Sequence, residues 1–187
     1  MIVFPEKGRA CTAETLKIAV AAAKEKNLAL VVASSKGSTG LAVTEEVRRQ
    51  QFEGPVIVVS LVFGWPEQGV QRMPKETMQA IKSSGARLVT AAHALSGAER
   101  GIGKQFPGAY PVEIIAHTLR MFGPGTKVAV ECGAMAFDAG LLKVGTPIVS
   151  VGGSGGGADT ALILTPCGTA QVLDTVIHEY LCKPGLY

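Results

Sequence analysis

An apolar run, Leu28-Ala29-Leu30-Val31-Val32-Ala33, ends in the turn Ser34-Ser35-Lys36-Gly37-Ser38-Thr39-Gly40 and is followed by residues with helical spacing. A short, continuous apolar run closed by turn residues reads as a strand buried on both faces. From Leu41 to Gln51, Val43 and Val47 share one helical face, and Glu45, Glu46, Arg48 and Arg49 take the other. A buried strand that feeds a helix through a glycine turn restricts the chain to folds in which helices cover a parallel sheet. The turn also has a chemical side. A helix start leaves unpaired N–H groups at the positive end of the helix dipole, and here Ser34, Ser35, Ser38 and Thr39 surround Gly37 with hydroxyls. Capping the helix uses one such group, so four point to an additional role, the holding of a phosphate or similar anion.

The same alternation recurs along the chain. Thr12 is placed to cap a helix over 13–26, with Leu16, Ile18, Ala19, Val20 and Ala23 on its apolar side and Asn27 at its exit. Residues 55–60 form a second buried strand, and 61–72, with Phe63, Gly64, Trp65, Pro66 and Gly69, show no period and read as a loop. Pro74 opens a helix that Gly85 stops, and 87–90 is a third strand. Pro111 starts another helix, with Val112, Ile114, Ile115, Leu119 and Met121 as its buried face. Residues 127–131 read as a fourth strand, 146–151 and 160–164 as two more, and 170–181 as a closing amphipathic helix. Only eight residues, 152–159, separate the last two strands, too few for a crossover helix, so these two should pair antiparallel. The expectation is a single α/β domain over 1–187, a three-layer sandwich with a mainly parallel central sheet and a final antiparallel strand.

Composition removes several functions. With 47% hydrophobic and 18% charged residues the chain should bury a large core, and a net charge of +3 spread along it offers no stripe for nucleic acid and no polybasic patch for a membrane. Cys11, Cys132, Cys167 and Cys182 form no CxxC pair, and no apolar stretch is long enough to span a bilayer, so a cytoplasmic protein with reduced thiols is expected.

The glycine loop 152–159 matches the letters of a dinucleotide fingerprint at Gly153-x-Gly155-x-x-Ala158, but the residues that follow read as a strand where that fingerprint needs a helix. Two readings remain open, a flexible turn or a backbone nest over a ligand with Asp159 as a polar contact. His93-Ala94-Leu95-Ser96-Gly97-Ala98-Glu99-Arg100 brings an imidazole, a hydroxyl, a carboxylate and a guanidinium together after the third strand. Ser96 and Glu99 alone fit a capping box, while His93 and Arg100 are either site contacts or structural groups. Glu131 to Gly140 offers two carboxylates among small residues, including Met135, where a flat ligand could approach the backbone. No nucleophile elbow, zinc-binding helix or Cys/His arrangement stands out, and no metal site is expected. Phe63, Trp65, Phe106 and Tyr110 are open to loop packing, a homo-oligomer contact or a ligand wall.

Several of these segments share an order and a spacing with one family. Phe4-x-x-x-Gly8-Arg9-x-x-Thr12-x-Glu14-Thr15-Leu16, Val31-Val32-Ala33-Ser34-Ser35-x-Gly37-x-Thr39, Met73-Pro74 and His93-x-Leu95-Ser96-Gly97-x-Glu99-Arg100 resemble the stand-alone pyruvate kinase C-terminal-domain-like proteins. So do Glu131 with Met135-Ala136-x-Asp138-Ala139-Gly140, and Gly152-Gly153 with Gly157-Ala158-Asp159-Thr160-Ala161. The resemblance implies that fold over nearly the whole chain and a bound flavin mononucleotide (FMN). It puts the phosphate on Ser34, Ser35, Gly37, Ser38 and Thr39. The isoalloxazine then lies against His93, Ser96, Arg100, Glu131, Met135, Gly152, Gly153 and Asp159. It implies no pyruvate kinase activity, because the catalytic barrel is missing. Two functional classes follow: a binding domain for a small phosphorylated ligand, FMN in particular, or a flavin-dependent oxidoreductase whose cofactor supplies the chemistry.

Overall fold

Strand β2 (Ala29–Ala33) lies in the middle of a seven-stranded sheet, with β3 (Val56–Ser60) on one side and β5 (Ile148–Gly152) on the other, both parallel to it. Its burial on both faces explains the unbroken apolar run. A computed structural model describes residues 1–185. From β3 the sheet continues to β4 (Arg87–Thr90); from β5 it continues through β6 (Thr160–Thr165) and β7 (Val176–Pro184) to β1 (Ile2–Phe4) at the far edge. The pairings make β6 the one reversed strand, as the short 152–159 connection requires, and all others run in one direction.

Alternate residues of the central strands feed two separate cores. Leu30, Val32, Val56, Val58, Val149 and Val151 pack with Leu16, Ala19 and Val20 of α1 (Thr12–Lys26), Val43 of α2 (Ser38–Gln50) and Ile81 of α3 (Lys75–Ser83). Val31, Ile57, Val59, Ile148, Leu162 and Leu164 face the other way, onto Ala116 of α5 (Pro111–Met121) and Ala129, Val130 and Met135 of α6 (Pro124–Asp138). Helices thus cover both sides of the sheet. A short helix, α4 (Gly97–Gln105), lies between β4 and α5 and buries none of its residues.

Two expected elements are corrected. Residues 127–131 are not a strand but the middle of α6, whose neighbours bury it nearly all round; a short apolar run carries no period that separates a buried helix from a buried strand. Residues 170–181 are not a helix: a 3-10 turn at Thr169–Asp174 leads into β7, whose backbone is held between β6 and β1. Tertiary pairing overrides local pattern here. Within α5, Val112, Ile115 and Leu119 do pack on the core, while Ile114 and Met121 are exposed. Asn27 ends α1 in the left-handed conformation as expected, but Thr12 does not cap that helix and lies inside its first turn.

The start of α6 is pressed onto the end of β5. A Cβ on Gly152 would lie 2.2 Å from the carbonyl oxygen of Gly125, and a Cβ on Gly125 would lie 2.1 Å from the Thr160 hydroxyl. The atoms around Gly152 are backbone of α6, which cannot swing aside as a side chain can. Gly152→Ala should therefore destabilise the fold by about 1–3 kcal/mol in urea unfolding. Gly101→Ala, on exposed α4 where an added Cβ meets nothing within 4 Å, should be neutral or stabilising by up to about 1 kcal/mol.

Candidate functional site

The chain leaves β2 toward β3 on one side and leaves β5 toward β6 on the other, so a crevice opens between the carboxyl ends of β2 and β5. Open α/β sheets place ligands at such a switch point. A cleft of about 500 Å³ occupies it, lined on one side by Ala33 to Lys36, Ser38 and Thr39 and on the other by Gly153 and 155–157. Arg9, Arg72 and Val128 complete its wall.

Gly37 makes the turn, with φ +98, and a Cβ there would lie 2.2 Å from Thr77. The first helical residue is Ser38. The Ser34 hydroxyl accepts a hydrogen bond from the Gly40 N–H at 2.9 Å and so caps α2 from outside it. That engages one of the four hydroxyls. The N–H groups of Ser38 and Thr39 have no protein acceptor among the described residues, and neither do the hydroxyls of Ser35, Ser38 and Thr39 have partners there. Thr39 is only 5% exposed yet lines the cleft. Arg9, Lys36 and Arg72 add three cations, none of them ion-paired among the described residues, and no carboxylate lines the wall. Free amides at a helix start, unpaired hydroxyls and uncompensated positive charge are what an oxyanion requires.

The opposite wall is held rigidly from behind. Asp159 is fully buried; its Oδ2 accepts from the N–H of Gly8 at 2.8 Å and of Ser154 at 3.0 Å, and its Oδ1 from the Thr160 hydroxyl at 2.7 Å. The Thr12 hydroxyl accepts from the Ala158 N–H at 3.0 Å. Gly157, at φ +76, lies so close to the chain that a Cβ would come within 2.7 Å of the Arg9 Cα. Asp159 thus shapes the cleft without lining it, and the glycines of the loop form one of its walls.

The remaining sequence-derived residues lie elsewhere. His93 and Ser96 line two adjoining cavities, one with Met135 and one with Arg100, and none of these four lines the α2 cleft. Glu131 lies beneath them: Oε1 accepts from the Leu95 N–H at 2.9 Å, and Oε2 is 2.5 Å from the Lys127 ammonium in a pair with both side chains buried. Burial pulls the Lys127 pKa down, with the Glu131 charge opposing that shift. Burial likewise lowers the His93 pKa against the pull of Glu131, with Lys127 and Arg100 adding to the lowering. The Nε2 of His93 accepts from the Val62 N–H at 3.3 Å, which suits a neutral ring protonated on Nδ1. The capping box does not form, since Ser96 makes no cap bond and Glu99 Oε1 accepts from the Glu113 N–H instead.

Sequence reasoning did not single out Arg9, Lys36 and Arg72, the three cations that line the cleft. Lys36 sits inside the turn and was legible there; Arg9 and Arg72 come from segments that only the fold brings to α2. Among the described residues no helix is long and apolar enough to cross a membrane. A comparison with models of known protein families finds no match.

Removing one partner of the buried pair should cost most. Glu131→Ala should lose about 3–5 kcal/mol in urea unfolding, and Lys127→Met combined with Glu131→Gln should recover most of it, because no unpaired charge remains and Leu95 keeps an acceptor. For His93 the folded-state pKa lies below its ordinary value, so the unfolded chain binds more protons between the two. Stability is therefore complete above about pH 6.5 and falls as the pH drops toward the depressed value. Unfolding free energies measured across that window should slope upward with pH, and His93→Gln should flatten the slope.

Proposed function

We propose that the cleft between α2 and the glycine loop binds a small phosphorylated ligand, with FMN as the ligand, and that the protein is a binding domain without pyruvate kinase activity. One observation carries the reading: the N–H groups and hydroxyls of Ser38 and Thr39 face a cleft that holds three cations and no carboxylate. The resemblance of the sequence to the stand-alone pyruvate kinase C-terminal-domain-like proteins supplies the identity of the flavin.

The residues present suit such a group. Ser35, Ser38, Thr39 and the start of α2 would hold the phosphate, with Lys36, Arg9 and Arg72 balancing its charge. Gly153 and Gly155 to Gly157 offer a surface without side chains, beside the apolar Val128, against which a flat ring can approach the backbone. About 500 Å³ lies within the ~300–1,000 Å³ typical of small-molecule sites. A flavin held there would supply electron or hydride transfer. The protein's own part is to grip the phosphate, exclude water from the glycine side and set the local potential positive.

Added FMN should co-elute with the protein as a yellow species and raise its melting temperature; a protein that stays colourless and unshifted refutes the flavin. Ser38→Ala with Thr39→Ala should weaken FMN by about 1–3 kcal/mol in titration calorimetry with the fold unchanged, since backbone donors remain. Binding should also weaken as salt is raised, because the cations line an open cleft.

A further inference from the structure

The loop 61–72 and α4 enclose a second cavity, separate from the α2 cleft, with a volume of about 280 Å³. Its wall includes Val62, Trp65, Ala92, His93, Ser96, Arg100 and Lys104. Arg100 and Lys104 are one helical turn apart on α4, and both cations sit over the indole of Trp65, the guanidinium 5.2 Å and the ammonium 4.7 Å from the ring centroid. Neither forms an ion pair among the described residues. Two like charges at this spacing repel one another, and the aromatic face offsets only part of that repulsion.

A second observation lies at the other end of the cavity. Ser96 precedes the first turn of α4, is 7% exposed and makes no cap hydrogen bond. The start of α4 therefore keeps its N–H groups and a nearly buried hydroxyl without a carboxylate cap, on the same wall as the two cations. Anion donors, an indole face and apolar Val62 and Ala92 converge on a space just below the ~300 Å³ at which drug-sized pockets begin, which suits a small guest. The adjoining cavity, which shares His93 and Ser96, carries the carboxylates of Glu99 and Asp138, so a doubly charged guest is repelled from that side.

We propose that this cavity is a binding site for a small organic monocarboxylate with an apolar body. The carboxylate takes hydrogen bonds from Ser96 and the start of α4 and the charge of Arg100, while the apolar part packs on Trp65. The site stands independently of the reading of the α2 cleft.

Trp65 is the only tryptophan in the chain, so its fluorescence reports this cavity alone. Titrating the full chain with cyclohexanecarboxylate, which does not absorb with the indole, should give a saturable change in Trp65 emission, and cyclohexanemethanol should give none. Arg100→Gln should weaken the carboxylate about tenfold or more. Lys104→Gln should weaken it less, and both variants should fold, because α4 buries no residue. Ser38→Ala with Thr39→Ala should leave the titration unchanged, which separates this site from the other. An absent or non-saturable response in the wild type, an equal response to the alcohol, or unchanged affinity in Arg100→Gln would overturn the proposal.

Discussion

A single buried carboxylate joins the parts on which the cleft depends. Asp159 draws Gly8 and Ser154 onto one oxygen and the Thr160 hydroxyl onto the other. The N-terminal segment and the glycine loop, far apart in sequence, are thereby fixed around one side chain. A carboxyl group at zero exposure is tolerable only when donors meet it, and here three do. The result is geometric as much as energetic: the N-terminal segment that carries Arg9 and Thr12 is pinned behind the glycine loop, and the loop becomes a wall facing the start of α2. Close backbone contact between Gly152 and Gly125 seats α6 against the same wall from the other side.

The part of this arrangement closest to the sequence is the strand–turn–helix unit at 29–50. Its buried run, its glycine with positive φ and its hydroxyls all act within a few residues of one another, so local rules suffice. The short connection at 152–159 was legible for the same reason, since chain length alone forbids a crossover. The errors fall where partners at a distance decide. Residues 127–131 are buried on nearly every side because α6 is packed against β2, β5, β6 and α5, and that hides the helical period. The Lys127–Glu131 spacing of four and Pro124 at the helix start were the surviving helical signals. In β7 the helical spacing of apolar residues is genuine but irrelevant, because β6 and β1 supply backbone partners on both edges.

The candidate site divides along the same line. Hydroxyls and glycines of the turn could be read directly, whereas two of the three cations could not, since nothing near Arg9 or Arg72 in sequence mentions α2. His93, Ser96, Arg100 and Met135 are adjacent to one another but not to the cleft at the switch point. Proximity along the chain is a sound guide to which residues form a cluster. It says nothing about which clusters meet, because that is settled by strand order.

Strand β1 pairs with β7, with Ile2 opposite Cys182. β1 therefore cannot join the sheet until β7 has been placed, and contacts this distant in sequence form late. Arg9 lies on the same N-terminal segment, which is held behind the glycine loop by the bonds of Gly8 to Asp159 and of Ala158 to Thr12, contacts almost as distant in sequence. Early in folding the turn and the start of α2 would be in place without the opposing arginine, so the cleft gains its full set of cations only once these distant segments have met.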